Sequence, residues 1–197
     1  MSVALAYRCY GPVTAPWLYV MAPGDCGELS DASGTVIAEA LAQRGVRVIR
    51  FAAPVDGTDA DWAEAITMFA STRTASQHLV VGGQSRGARV SVSLAENLDA
   101  HALLLWSYPF HPRRCATSLT ALDALIACRT PVWLCQGSRD ALGNREQVRG
   151  YSLPDTVQVH WVEDGNHDLV PRERSGLQRE GVLRVAVDAV AEGMLRS

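Results

Sequence analysis

The segment His78-Leu79-Val80-Val81-Gly82-Gly83-Gln84-Ser85-Arg86-Gly87-Ala88-Arg89-Val90 leaves the chain few folds to choose from. A short apolar run reads as a buried strand. It breaks at once into the pentapeptide Gly83-Gln84-Ser85-Arg86-Gly87, which opens a run of small, helix-compatible residues. Strand, tight turn and helix in direct succession begin a crossover connection, and a crossover implies a parallel neighbour for the strand. The rest of the sequence supplies such neighbours. Apolar runs at 3–10, 17–21, 46–51, 78–81, 102–107, 132–136 and 157–162 alternate with helical patterns at 33–44, 61–72, 86–98, 119–128, 145–151 and 177–195. Several of the runs are apolar on both faces, as strands covered on both sides must be. No linker or repeat interrupts the series, so residues 1–197 are expected to form one α/β domain with a mostly parallel sheet. Gly45 stands where the 33–44 helix needs a C-terminal cap.

In sheets of this kind ligands bind outside the carboxyl ends of the strands, so chemistry is sought in the segments just after them. Ser85 occupies the sharp turn after 78–81, where its hydroxyl would be presented at the sheet's edge. A serine needs a histidine base, and the histidine needs a carboxylate to orient it. Gly137-Ser138-Arg139-Asp140 follows one later strand and places Asp140 in its loop; the next strand is followed by Asp164-Gly165-Asn166-His167-Asp168. Ser85, Asp140 and His167 are therefore the expected catalytic residues. Glu163, Asp164 and Asp168 are too near His167 in sequence to point at its ring, and Asp168 is expected to hold its own turn. His78, His101 and His160 fall in or beside strands and are read as packing or surface residues. His111 closes Trp106-Ser107-Tyr108-Pro109-Phe110-His111, where it either lines the pocket or belongs to a turn.

Stabilising an acyl-transfer oxyanion takes two preorganised donors. One is expected from the backbone N–H of Arg86, the other from the loop Ala22-Pro23-Gly24-Asp25-Cys26-Gly27, with Asp25 the contributing position. Gly24, Cys26, Tyr108, Phe110 and His111 are the expected substrate-binding residues. Cys26 has no nearby histidine in sequence and is not read as the nucleophile.

Composition excludes several other chemistries. All 18 basic residues are arginine, which removes a Schiff-base lysine, a pyridoxal phosphate anchor, a lysine-bearing phosphate loop and a Ser-Lys dyad. The formal net charge of −3 and the scattered arginines give no expectation of a nucleic-acid partner. With no H-E-x-x-H and no paired Cys/His spacing, neither a metal nor a cofactor is expected. Five cysteines without a C-x-x-C pair read as free thiols in a reducing compartment. The N-terminal stretch lacks the basic flank of a signal peptide, and no apolar run is long enough to span a membrane. A cytoplasmic chain with no membrane partner is expected, its arginine-only, alanine-rich usage suggesting a bacterial source. No feature sets an oligomeric state.

The segments GGQSRGARV, LLLWSYPFHP, TPVWLCQGSRDALGNREQV and HWVEDGNHDLVPRERSG together resemble the small alpha/beta-hydrolase-like family that includes testis-expressed protein 30 and bacterial dienelactone-hydrolase-like proteins. The resemblance spans most of the chain. It implies the alpha/beta-hydrolase fold, with helices on both faces of the sheet, and a serine hydrolase in which Ser85, Asp140 and His167 match the family's motif. Arg86 stands where that family commonly has methionine, Ala88 replaces a glycine, and APGDCG replaces a loop closer to HGAGA. The family also includes a scaffold subunit of a chromatin-modifying (NSL) complex. The alternative to an esterase-like enzyme acting on a small-molecule ester, thioester or amide is thus a non-catalytic interaction module, whose sign would be an apolar surface patch over an occluded Ser85. About a dozen residues separate the fifth strand from the following helix, too few for a helical lid domain.

Overall fold

The structure, a computed structural model describing residues 5–25, 27–112, 118 and 120–196, contains a seven-stranded sheet. Its strands are β1 (Tyr7–Tyr10), β2 (Trp17–Ala22), β3 (Val46–Phe51), β4 (His78–Gln84), β5 (Ala102–Trp106), β6 (Val132–Gly137) and β7 (Val157–Val162). The helices are α1 (Ala32–Ala42), α2 (Asp59–Ala70), α3 (Arg86–Leu94), α4 (Thr120–Ala127), α5 (Arg145–Arg149) and α6 (Arg179–Met194). The spatial order is β1-β3-β2-β4-β5-β6-β7, with β1 antiparallel to β3 and the remaining pairs parallel.

That order places the site. From β2 the chain crosses through α1 to β3 on one side, whereas from β4 it crosses through α3 to β5 on the other. Adjacent β2 and β4 therefore feed connections that diverge, and a crevice opens at their carboxyl ends. The loop after β2 and the turn after β4 form its two walls.

Alternation along β2 shows why the strands read as apolar throughout. Leu18 and Val20 face a core with Trp62, Ile66, Val90 and Leu125 from α2, α3 and α4. Tyr19 and Met21 face the opposite core with Ile37, Leu41, Leu183 and Val187 from α1 and α6. Burial raises the pKa of the Tyr19 phenol, and its hydroxyl is satisfied by donating to the Leu104 carbonyl at 2.8 Å and accepting from Trp106 Nε1 at 3.2 Å. Gly45 lies three residues beyond the end of α1 with φ +81°, bonding back to the Ala42 carbonyl.

Two strand boundaries differ from the sequence pattern by more than one residue. The expected first strand, 3–10, is paired only over Tyr7–Tyr10, because its partner β3 ends at Phe51; residues 1–4 lie outside the described residues. The strand expected to stop at Val81 continues through Gly82 and Gly83, which pair with β2 on one side and β5 on the other, to Gln84, which pairs with β5. Glycines usually signal a turn. Here they let neighbouring backbones close in, since a Cβ on Gly83 would strike Ala22, and its φ of +135° is one that L side chains rarely adopt. Helix ends shift by a few residues, the largest change being α3, which ends at Leu94 instead of Leu98. Among the described residues no helix is long and apolar enough to cross a membrane.

Candidate active site

Ser85 sits between β4 and α3 with φ 52° and ψ −113°, a strained conformation for a residue with a side chain. The turn is held by the Ser85 N–H bonding to the Trp106 carbonyl at 3.0 Å and by the close approach of Gly87 to the end of β2, where any Cβ would strike the carbonyls of Ala22 and Pro23. Ser85 is half-buried and lines a cavity of about 570 Å³. It is not occluded.

His167, in the loop after β7, places Nε2 at 2.9 Å from Ser85 Oγ and Nδ1 at 2.8 Å from Asp140 Oδ2. A carboxylate only accepts, so Nδ1 carries the proton and Nε2 is left to accept from the serine hydroxyl. Asp140 follows β6 and is fully buried. Its charge is met by the Leu142 N–H at 2.8 Å and by Gln136 Nε2 at 3.0 Å, in addition to His167. Such charge-assisted bonds are what make a buried carboxylate tolerable.

Asp164 serves the loop rather than the ring. It accepts from the Arg172 backbone N–H at 2.8 Å, pairs with the Arg172 guanidinium, and pairs with Arg139 at 2.8 Å. The Arg172 side chain foremost holds its carboxyl below the usual aspartate range. A carboxyl with a depressed folded-state pKa stabilises the fold in full above its unfolded value, and that contribution is lost as pH falls toward the folded value. Asp164→Asn should therefore lower Tm by a constant amount from pH 5 to 8, and the gap from wild type should close as pH drops below about 4. Calorimetry across that range checks it; a gap unchanged at pH 3 would contradict the assignment. Asp168 is exposed, and its N–H bonds to Asn166 Oδ1 at 3.0 Å.

The Arg86 N–H opens α3, in the first turn where N–H groups have no intrahelical acceptor. Across the crevice, Gly24 lies against Ser85: a Cβ on Gly24 would stand 3.5 Å from that of the serine. Asp25 follows at the cavity wall. The Arg86 side chain ties the two walls together. Its Nε donates to Asp59 at 2.7 Å, an Nη donates to Asp25 at 3.1 Å, and the guanidinium stacks 4.4 Å over Trp62, whose Nε1 donates to the Pro23 carbonyl at 2.9 Å. Asp59 raises the Arg86 pKa, while Arg89 first and Arg86 second lower that of Asp59.

Of the expected substrate-binding residues, Gly24 lines the cavity, and Cys26 lies outside the described residues, as does Cys115. The structure corrects the expectation for Tyr108, Phe110 and His111, none of which lines it. Tyr108 and Phe110 turn inward to fill the core, the Tyr108 hydroxyl donating to the Ala121 carbonyl at 2.7 Å and Phe110 packing on Tyr108 and Tyr151. Large rings at a strand end gain more from burial than a shallow site would give them. His111 is buried beside them with Nδ1 3.1 Å from the Pro112 carbonyl. His78 and His101 pack against Trp17, tilted and edge-on respectively, at the amino ends of their strands, away from the cavity. Cys9 is exposed; burial raises the thiol pKa of Cys128 and Cys135.

Sequence reasoning missed Gln136. Buried at the end of β6, its amide bonds to Asp140, to the Gly143 carbonyl at 3.0 Å and to both backbone groups of Tyr108. A lone polar residue in the apolar run Val-Trp-Leu-Cys-Gln-Gly was the available signal. Glu28, Ser30, Asp31, Gln84, Leu142 and Asp168, all lining the cavity, were likewise not foreseen there.

A family model described as alpha/beta hydrolase domain matches residues 54–194. Among solved structures, Est1E from Butyrivibrio proteoclasticus superposes with a TM-score of 0.75 at 16% identity, covering 98% of this chain and 93% of that one. An alpha-beta serine hydrolase homologue from Coxiella burnetii gives 0.73 at 16% identity, covering 96% and 91%. A Xanthomonas campestris protein described as an a/b serine hydrolase without lid gives 0.66 at 19% identity, covering 94% and 88%. No curated protein sequence matches the chain.

Proposed function

This chain belongs to the alpha/beta hydrolase family, and on that footing we propose that it is a serine hydrolase that cleaves a small ester through an acyl-Ser85 intermediate. The observation that carries the reading is the hydrogen-bonded line from buried Asp140 through His167 to Ser85, which lines the cavity. Ser85 Oγ attacks the ester carbonyl as His167 Nε2 takes its proton. The resulting oxyanion is held by the N–H groups of Arg86 and Asp25, and Asp140 stabilises the imidazolium. Collapse expels the alcohol, which receives the proton from His167. Water, deprotonated by the same nitrogen, then releases the acid and restores the serine. Thioesters and amides would follow the same course. Labelling with a fluorophosphonate probe tests the reading, because the probe reacts where serine, base and oxyanion donors are assembled.

Chain-length preference follows from the cavity wall. Among its described residues Leu142 is the one apolar side chain apart from glycines; the others are Asp, Glu, Ser, Gln and His. Each added methylene of an acyl chain would gain much less than the ~0.8 kcal/mol of full burial. Across p-nitrophenyl esters, kcat/KM is expected to peak at acetate to butyrate and fall by octanoate. A steady rise to dodecanoate would require an apolar tunnel, which this polar lining does not provide.

A further inference from the structure

The cavity beside Ser85 is lopsided in charge. Asp25, Glu28, Asp31 and Asp168 all line it, and no arginine does so among the described residues. Two of the four carboxylates have a cationic partner. Asp25 pairs with Arg86 at 3.1 Å, and Asp31 accepts from the Gly34 N–H at the start of α1 with an Arg50 nitrogen 3.8 Å away. The Glu28 carboxylate accepts from the neutral Ser30 hydroxyl at 2.8 Å, while Arg50 donates to the Glu28 backbone carbonyl at 3.4 Å, and neither the Glu28 nor the Asp168 carboxylate forms an ion pair among the described residues. Four carboxylates thus meet two guanidiniums, and one of these, that of Arg86, is shared with Asp59. A concave wall of one sign concentrates its field inside the cavity. The glycines at 24 and 27 and the shortage of apolar side chains leave little else there to choose a substrate.

We propose that the preferred substrate of this site is an ester bearing a cationic group, an ammonium or guanidinium a few bonds from the reacting carbonyl, and that Glu28 and Asp168 recognise the cation. The inference rests on the hydrolase reading and narrows it. Asp168 follows His167 directly in the chain, and Glu28 belongs to the loop that carries Asp25. Both line the cavity that Ser85 lines, so a cation held by them would share that cavity with the acyl group. An anionic acyl or alcohol group would meet the same wall and be repelled.

The test uses the full chain and matched esters. Choline acetate is compared with its tert-butyl isostere, in which carbon replaces the quaternary nitrogen, and with the corresponding carboxylate. A second set carries the same three groups at the end of a short acyl chain on a p-nitrophenyl ester. In at least one set the cationic ester should exceed its neutral isostere by roughly tenfold in kcat/KM at low ionic strength, with the anionic ester slowest. That ratio should shrink toward one in molar salt and in the Glu28→Gln/Asp168→Asn double variant. Probe labelling of Ser85 together with equal rates for cationic and neutral esters in both sets, or faster hydrolysis of the anionic one, overturns the proposal and leaves the hydrolase reading standing. A ratio that survives the double variant overturns the assignment to Glu28 and Asp168. Absence of both labelling and hydrolysis overturns the hydrolase reading and this proposal with it.

Discussion

Ser85→Ala is expected to abolish fluorophosphonate labelling and to lower kcat toward a short p-nitrophenyl ester by on the order of 10⁶, the loss seen when the nucleophile of a serine hydrolase is removed. His167→Ala should do the same, because an unassisted hydroxyl is a poor nucleophile and the two groups act as a unit. Neither change should unfold the protein. The Ser85 side chain contributes one hydrogen bond, to His167, at a half-exposed position, and the turn itself is held by backbone contacts. Alanine inherits the φ of 52°, so the strain persists. Ser85→Gly would relieve it and should be the more stable of the two variants by about 1 kcal/mol. Melting curves and probe gels separate the effects. Equal labelling of wild type and Ser85→Ala would remove Ser85 from the chemistry.

What the sequence made legible was whatever local pattern dictates. Strands such as β3 and β7 were bounded to the residue, because both are short apolar runs ended by turn-forming neighbours. The turn at Ser85 and the loops carrying Asp140 and His167 could be placed at one end of the sheet from strand order alone. The extension of β4 through two glycines was not legible, because it depends on how closely β2 and β5 approach. Nor was the inward turn of Tyr108 and Phe110. An aromatic residue after a strand can face a pocket or a core, and the choice was made by Gln136, which bonds to both backbone groups of Tyr108 from the neighbouring strand. The sequence points to Arg86 for its backbone N–H and as a departure from the methionine of the family it resembles, with no role for its side chain. The contacts of its guanidinium with Asp25, Asp59 and Trp62 join three segments that nothing in the local sequence brings together. Side-chain networks of this reach are products of tertiary packing, and the charge of the cavity wall is another: Glu28, Asp31 and Asp168 are ordinary turn residues until the loops converge.

Asp140→Asn should lower kcat by about 10⁴ while leaving Ser85 and His167 in place. The carboxylate accepts from three donors at once: His167 Nδ1, Gln136 Nε2 and the Leu142 N–H. An asparagine cannot accept at every one of those positions. If its amide nitrogen faces His167, it donates to Nδ1, the proton moves to Nε2, and the ring can no longer accept from Ser85; the same nitrogen also confronts the Gln136 amide. If the side chain flips, the nitrogen meets the Leu142 N–H instead. Either orientation leaves a buried donor without an acceptor, so a stability loss of about 1–3 kcal/mol should accompany the kinetic one. The pairing of the two effects is diagnostic. A residue that merely packed the loop would cost stability and spare kcat, whereas a purely electrostatic contribution from solvent would spare stability. Asp168→Asn, assayed on a neutral ester, serves as the control, since its carboxylate is exposed and does not reach the ring nitrogens among the bonds His167 makes. Should the 10⁴-fold loss fall on Asp168→Asn while Asp140→Asn keeps turning over, the carboxylate that orients His167 in solution is not the one that faces it here.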